Sequence, residues 1–139
     1  MLLVVLLLGA VSLNARPAAA GAEVANAAAA AGSGLTACAS SPGKALYDCV
    51  ANVLDQMGNQ LGRSHPEVTR SLHTTATSVR SGIKAQALSA IAQCRSAIAV
   101  AIRQAKDTAS GFLEGWGGSG LSAIVSVLAR ASQLIQTKG

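Results

Sequence analysis

The stretch Ala90–Lys106, AIAQCRSAIAVAIRQAK, is apolar enough to suggest a membrane segment, yet it carries Arg95, Arg103 and Lys106. Those charges interrupt any run of the roughly 20 apolar residues that a spanning helix needs. The pattern therefore predicts an amphipathic helix, and the same pattern continues on both sides. Upstream, Ser64 and Glu67 have the spacing of a capping box with Pro66 in the first turn. No proline follows, so one long helix is predicted over 65–113, with Gly82 as its candidate kink or break.

An eleven-residue period organises this segment. Val68, Val79, Ala90, Ala101 and Phe112 form one row; Leu72, Ile83, Cys94 and Ala105 a second; Ala76, Ala87, Ile98 and Ala109 a third. Ile91, Ile102 and Leu113 widen the apolar face. Eleven residues make three turns at about 3.67 per turn, so such rows run nearly straight along a helix. A basic row, His73, Lys84, Arg95 and Lys106, borders the stripe. Long cationic stems at that edge suit an anionic lipid surface, or equally a solvated margin of a helical bundle.

Two shorter helices flank the long one. Over 42–61, Leu46, Val50, Val53, Leu54, Met57 and Leu61 recur on one face, with Ser41 as expected N-cap, Pro42 as first helical residue and Gly62 as the stop. Over 121–137, Leu121, Ile124, Val125, Leu128, Ala131, Leu134 and Ile135 do the same. Between them, GFLEGWGGSG (Gly111–Gly120) reads as a loop, in which Trp116 either docks back onto the bundle or serves as an interface anchor. The fold class expected is all-α: a helical hairpin or three-helix bundle with one long central helix. Half the residues are apolar, but many are alanine and aromatics are scarce, so the core must be thin and close-packed.

The N-terminus reads as a leader. MLLVVLLLGAVSL is too short to span a bilayer and precedes Asn14, Arg16, Pro17 and a run of small residues. A signal peptide over 1–20, with cleavage after Ala20 or Ala22, is expected. The Ala/Gly/Ser-rich residues 21–40 then form a disordered or loosely docked tail, and 41–139 the helical domain.

Export places Cys38, Cys49 and Cys94 in an oxidising setting. In a straight hairpin turning near Arg63, Cys94 lies roughly 46 Å from the turn and Cys49 roughly 21 Å, too far apart to bridge. Cys38–Cys94 is therefore the favoured disulfide, with Cys49 free or an alternative partner.

Catalytic and cofactor signals are weak. There is no Cys-x-x-Cys, and His65 and His73 are the sole histidines, so no metal site or cofactor is expected. Asp48 and Asp55 share a helical face and read as a solvated pair. Ser81-Gly-Ile-Lys84 matches a short nucleophile motif without its companion elements. The net charge of +5 is scattered, without a Lys/Arg run or an aromatic platform, so nucleic acid is not an expected partner. The function expected is that of a small secreted, non-enzymatic helical protein in a structural or protein-interaction role, acting on an unknown protein partner or on itself. The alternative is a secreted lipid-binding or membrane-surface-active protein.

Overall fold

The computed structural model describes residues 24–62, 65–108 and 119–139, the side chains of 105–108 and 119 excepted. The fold is all-α. Among the described residues there are five helices and no strand: α1 (24–38), α2 (Lys44–Leu61), α3 (Pro66–Arg80), α4 (Lys84–Thr108) and α5 (Ser119–Lys138). The proposed leader, Ser64 and Trp116 lie outside the described residues.

The long central helix is two helices. Gly82 adopts φ +71°, a left-handed conformation that a side chain resists, and its N–H donates to Val79 O at 3.1 Å. The Ser81 hydroxyl donates to Ser78 O and accepts from the Ile83 N–H, which holds the turn. From there α4 folds back antiparallel onto α3, placing Cys94 beside Thr75 and Ala97 near Arg70. The eleven-residue rows therefore do not run along one rod. Their residues are still the inward ones within each helix: Val68, Leu72, Ala76 and Val79 on α3, then Ala87, Ile91, Cys94 and Ile98 on α4 are buried. Ile83, which falls in the turn, is 51% exposed.

Packing runs in chain order, α2 on α3, α3 on α4 and α4 on α5. The Lys84 ammonium donates to Gln136 O at 2.9 Å, so the start of α4 meets the end of α5. Direct contact between α2 and α5 is slight; α1 fills the space between them and closes the bundle. It runs antiparallel to α2, with Gly34 against Val53 and Cys38 bonded to Cys49. It runs parallel to α5, with Val24 at Gly120, Gly32 at Arg130 and Ala39 at Lys138.

This corrects the expected loose tail over 21–40. Val24, Ala27, Ala28, Ala31, Leu35 and Cys38 fall at helical spacing and are all buried. Small residues are suited to this position because α1 must lie close to two helices at once: a Cβ on Gly34 would come 2.8 Å from Val53 Cγ2. Gly34 is thus the close-approach position on α1, and the helix continues through it to Cys38.

The start of α2 is also displaced. The chain reverses over Ala39–Gly43, with Ser41 N–H donating to Cys38 O at 2.9 Å and Gly43 at φ +55°. Ser41 and Pro42 are consumed by that reversal, so Gly43 rather than Ser41 occupies the cap and Lys44 is the first helical residue. Gly62 does end α2, and Pro66 opens α3 after His65.

Candidate functional site

Two features stand out from the packed core: a polar cluster joining α2 to α3, and the outward side of α4.

The polar cluster is built on Asp55, which stands on α2 opposite two residues of α3. One carboxylate oxygen lies 2.7 Å from His73 Nδ1, and the other accepts from Arg80 Nη2 at 2.5 Å. Arg80 also donates to Asn52 Oδ1 at 2.8 Å, and the Thr69 hydroxyl donates to Gly58 O at 3.1 Å. Burial alone would raise the Asp55 carboxyl, but the hydrogen bonds and positive charge of His73 and Arg80 outweigh it and hold the group below its ordinary range. The ring of His73 lies over Gly58, where a Cβ would come 3.1 Å from Nε2. Spacing alone did not reveal this cluster. The sequence pattern puts Asp55 on a solvated face and His73 in a basic row; only the fold-back of α3 on α2 brings them together. Asp48 takes no part.

The arrangement is that of a clamp between helices. The Nδ1 of His73 is committed to Asp55 and its Nε2 faces the backbone at Gly58, while no described hydroxyl or thiol is bonded to the ring. Among the described residues, no group of three or more His, Cys, Asp and Glu side chains is gathered as metal ligands.

The basic row is dispersed. His73 pairs with Asp55, Lys84 binds the end of α5, Arg95 is exposed on α4, and the Lys106 side chain lies outside the description. The turn at Gly82 separates the first member from the others.

The cysteine pairing is corrected. Cys38 and Cys49 form the disulfide, with Cα atoms 5.6 Å apart, and Cys94 is free and buried. The pairing differs because 65–113 is not one straight helix and residues 24–38 are docked rather than loose. With α1 laid back along α2, Cys38 faces Cys49 across the turn while Cys94 points between α3 and α4. Burial pushes the Cys94 thiol up, opposed by a hydrogen bond with Thr75.

The second feature is α4 itself. Ala85, Ser89, Ala92, Ser96 and Val100 project outward along one side, all exposed and all uncharged. The segment Lys84–Gln104 is long and apolar enough by composition to cross a membrane, with mean hydropathy 1.3, and 22% of its most apolar window is buried inside the protein. The two exposed large hydrophobic residues among those described, Ile83 and Val100, lie at its start and on its outer side. Between α3 and α4 runs an open groove of about 320 Å³, lined by hydroxyl and amide groups including Thr74, Ser78 and Gln93, with Arg70 at one end and Cys94 in its floor.

The fold and these features define a small disulfide-closed helical bundle. The chain matches no protein-family model, no curated protein and no solved structure.

Proposed function

We propose that the chain is an exported, non-enzymatic helical protein that engages another protein through the outward side of α4. One observation carries this reading. The helix whose composition is apolar enough to span a bilayer is the one left largely uncovered, and its outer side is small and uncharged. A side made of Ala85, Ser89, Ala92 and Ser96 lets another backbone approach closely and carries no charge to desolvate. Export is supported by the N-terminal apolar run with its small-residue cleavage region, and by the Cys38–Cys49 disulfide. A role without catalysis is supported by the closed geometry of the Asp55–His73–Arg80 cluster.

The second reading, a lipid-surface protein, draws on the hydropathy of α4 together with exposed Arg95 and Arg103 and no acidic residue over Lys84–Gln104. A photo-crosslinking residue at Ala92, in the protein as expressed and exported by its host, separates the two. Discrete protein adducts absent from a control at Gln60, an exposed position on α2, are the expected result. Adducts to lipid alone would favour the second reading, and no adduct beyond the Gln60 control would sink both.

A further inference from the structure

We infer that α1 is a redox-releasable strap: cleavage of the Cys38–Cys49 disulfide undocks α1 from the seam between α2 and α5 while the other helices stay folded. The inference starts from what holds α1. Its buried face is Val24, Ala27, Ala28, Ala31, Leu35 and Cys38, so half of it is alanine and one member is the disulfide itself. By contrast α2 buries Leu46, Tyr47, Val50, Val53, Leu54, Met57 and Leu61. Alanine removes little apolar area from water, so the non-covalent hold on α1 is much the weaker.

The remaining attachments are few and exposed. Arg130 of α5 donates to Gly32 O and to the Thr36 hydroxyl, and the Lys138 ammonium donates to Ala39 O. Exposed bonds of this kind exchange readily with water. The disulfide closes a short loop, Cys38 to Cys49, separated by 11 residues, and joins α1 to the best-buried helix. The α2–α3–α4–α5 succession does not depend on α1, because each of those helices packs on the next. Gly43, with its positive φ, provides the pivot between strap and body.

The chemistry is a two-electron thiol–disulfide exchange with a dithiol reductant. A thiolate of the reductant attacks Cys49 Sγ, since Cys49 is half-buried whereas Cys38 is fully enclosed. The S–S bond breaks, and Cys38 leaves as a thiolate that takes up a proton. The second thiol of the reductant then displaces Cys49 from the mixed disulfide, so the protein ends with two thiols and the reductant as a disulfide. Undocking uncovers Val53 of α2 and the first turn of α5 around Gly120, where Gly34 and Val24 had rested. In an oxidising compartment the strap is shut; where a dithiol reductant is met, this apolar seam opens.

Native-state hydrogen exchange on the full oxidised protein, before and after reduction by dithiothreitol, tests the inference. The amides of α1 are expected to lose roughly hundredfold in protection, the factor a disulfide across so short a loop contributes. Those of α2 and α3 near Leu54 and Leu72 should keep theirs, and reoxidation should restore α1. Alkylation of Cys38 and Cys49 but not Cys94 confirms that reduction was complete. The Cys38→Ser, Cys49→Ser double variant should match the reduced protein. Unchanged protection in α1 after verified reduction overturns the strap. So does loss of protection across all the helices, which would make the disulfide a prop for the entire bundle.

Discussion

His73 Nδ1 lies 2.7 Å from Asp55 Oδ1, and this contact pins α3 to α2. The same carboxylate holds Arg80, so one residue anchors two positions, seven residues apart, on the facing helix. Asp55→Ala should cost about 1 kcal/mol in urea unfolding, a modest figure because the cluster is partly exposed. The folded carboxyl titrates below its ordinary range, so its contribution is complete above the unfolded-state pKa and is lost as pH falls through the folded value. The variant should therefore differ from the parent at neutral pH and converge with it in strong acid. A constant difference at every pH would mean that the carboxylate charge is not what holds the helices.

A second titration works at milder pH. His65 precedes Pro66 at the start of α3, and burial pushes its imidazole below the ordinary histidine range. The unfolded chain thus binds the proton more readily. The sign follows: His65 contributes no penalty above the ordinary histidine pKa, and stability falls as pH drops from there toward the folded value. His65→Gln removes this dependence. Unfolding free energies at pH 7.5 and 5.5 should show a smaller pH slope for the variant than for the parent, and identical slopes would count against burial as the cause.

What the sequence disclosed was local and what it concealed was tertiary. The inward faces of α2 and α5 are legible as periodic Leu, Ile and Val, and most of the row residues described on α3 and α4 are buried, Ala90, Ala101 and Ile102 only partly. Those faces depend on spacing within a few turns. Three features depended on the path of the chain instead. Gly82 could cost a continuous helix a little or end it outright, and the choice rests on whether α4 gains more by folding onto α3. The Ala27–Ala31 run is uniform and so carries no apolar period, and which of its alanines are inward is set only by the narrow seam that α2 and α5 leave. The Asp55–His73 contact joins residues whose separation in sequence has no helical meaning. The cysteine distances in turn depend on that path, because a straight 65–113 helix and one folded back at Gly82 place Cys94 differently.

The corrected pairing gives a simple count of thiols. Cys94 lies against Thr75 beneath the α3–α4 groove and is 3% exposed, with its thiol pushed up by burial. A high thiol pKa and little access both suppress reaction. The native protein should show no thiol reactive toward a maleimide over minutes, and one per chain once unfolded without reductant. A non-reducing peptide map should then contain the Cys38–Cys49 crosslink. Recovery of a Cys38–Cys94 peptide, or rapid labelling of Cys94 in the native state, would contradict the arrangement of α1 and α4 together.

Gly32 and Gly34, two residues apart on α1, lie at different distances from their neighbours. At Gly34 a Cβ would sit 2.8 Å from Val53 Cγ2, inside any tolerable contact, and the branched valine has no room to swing aside because it is itself 7% exposed. At Gly32 the nearest atom to a Cβ is Arg130 Nη1 at 3.5 Å, an ordinary separation at the end of a long side chain. Alanine is the better helix former by about 1 kcal/mol at either position. Gly32→Ala should accordingly be neutral or stabilise by up to that amount. Gly34→Ala should destabilise by about 1–3 kcal/mol, because the overlap pushes α1 away from α2. Chemical denaturation of the two variants beside the parent reads the difference directly. If both stabilise alike, α1 does not rest on Val53, and the small residues of this helix serve some purpose other than close packing.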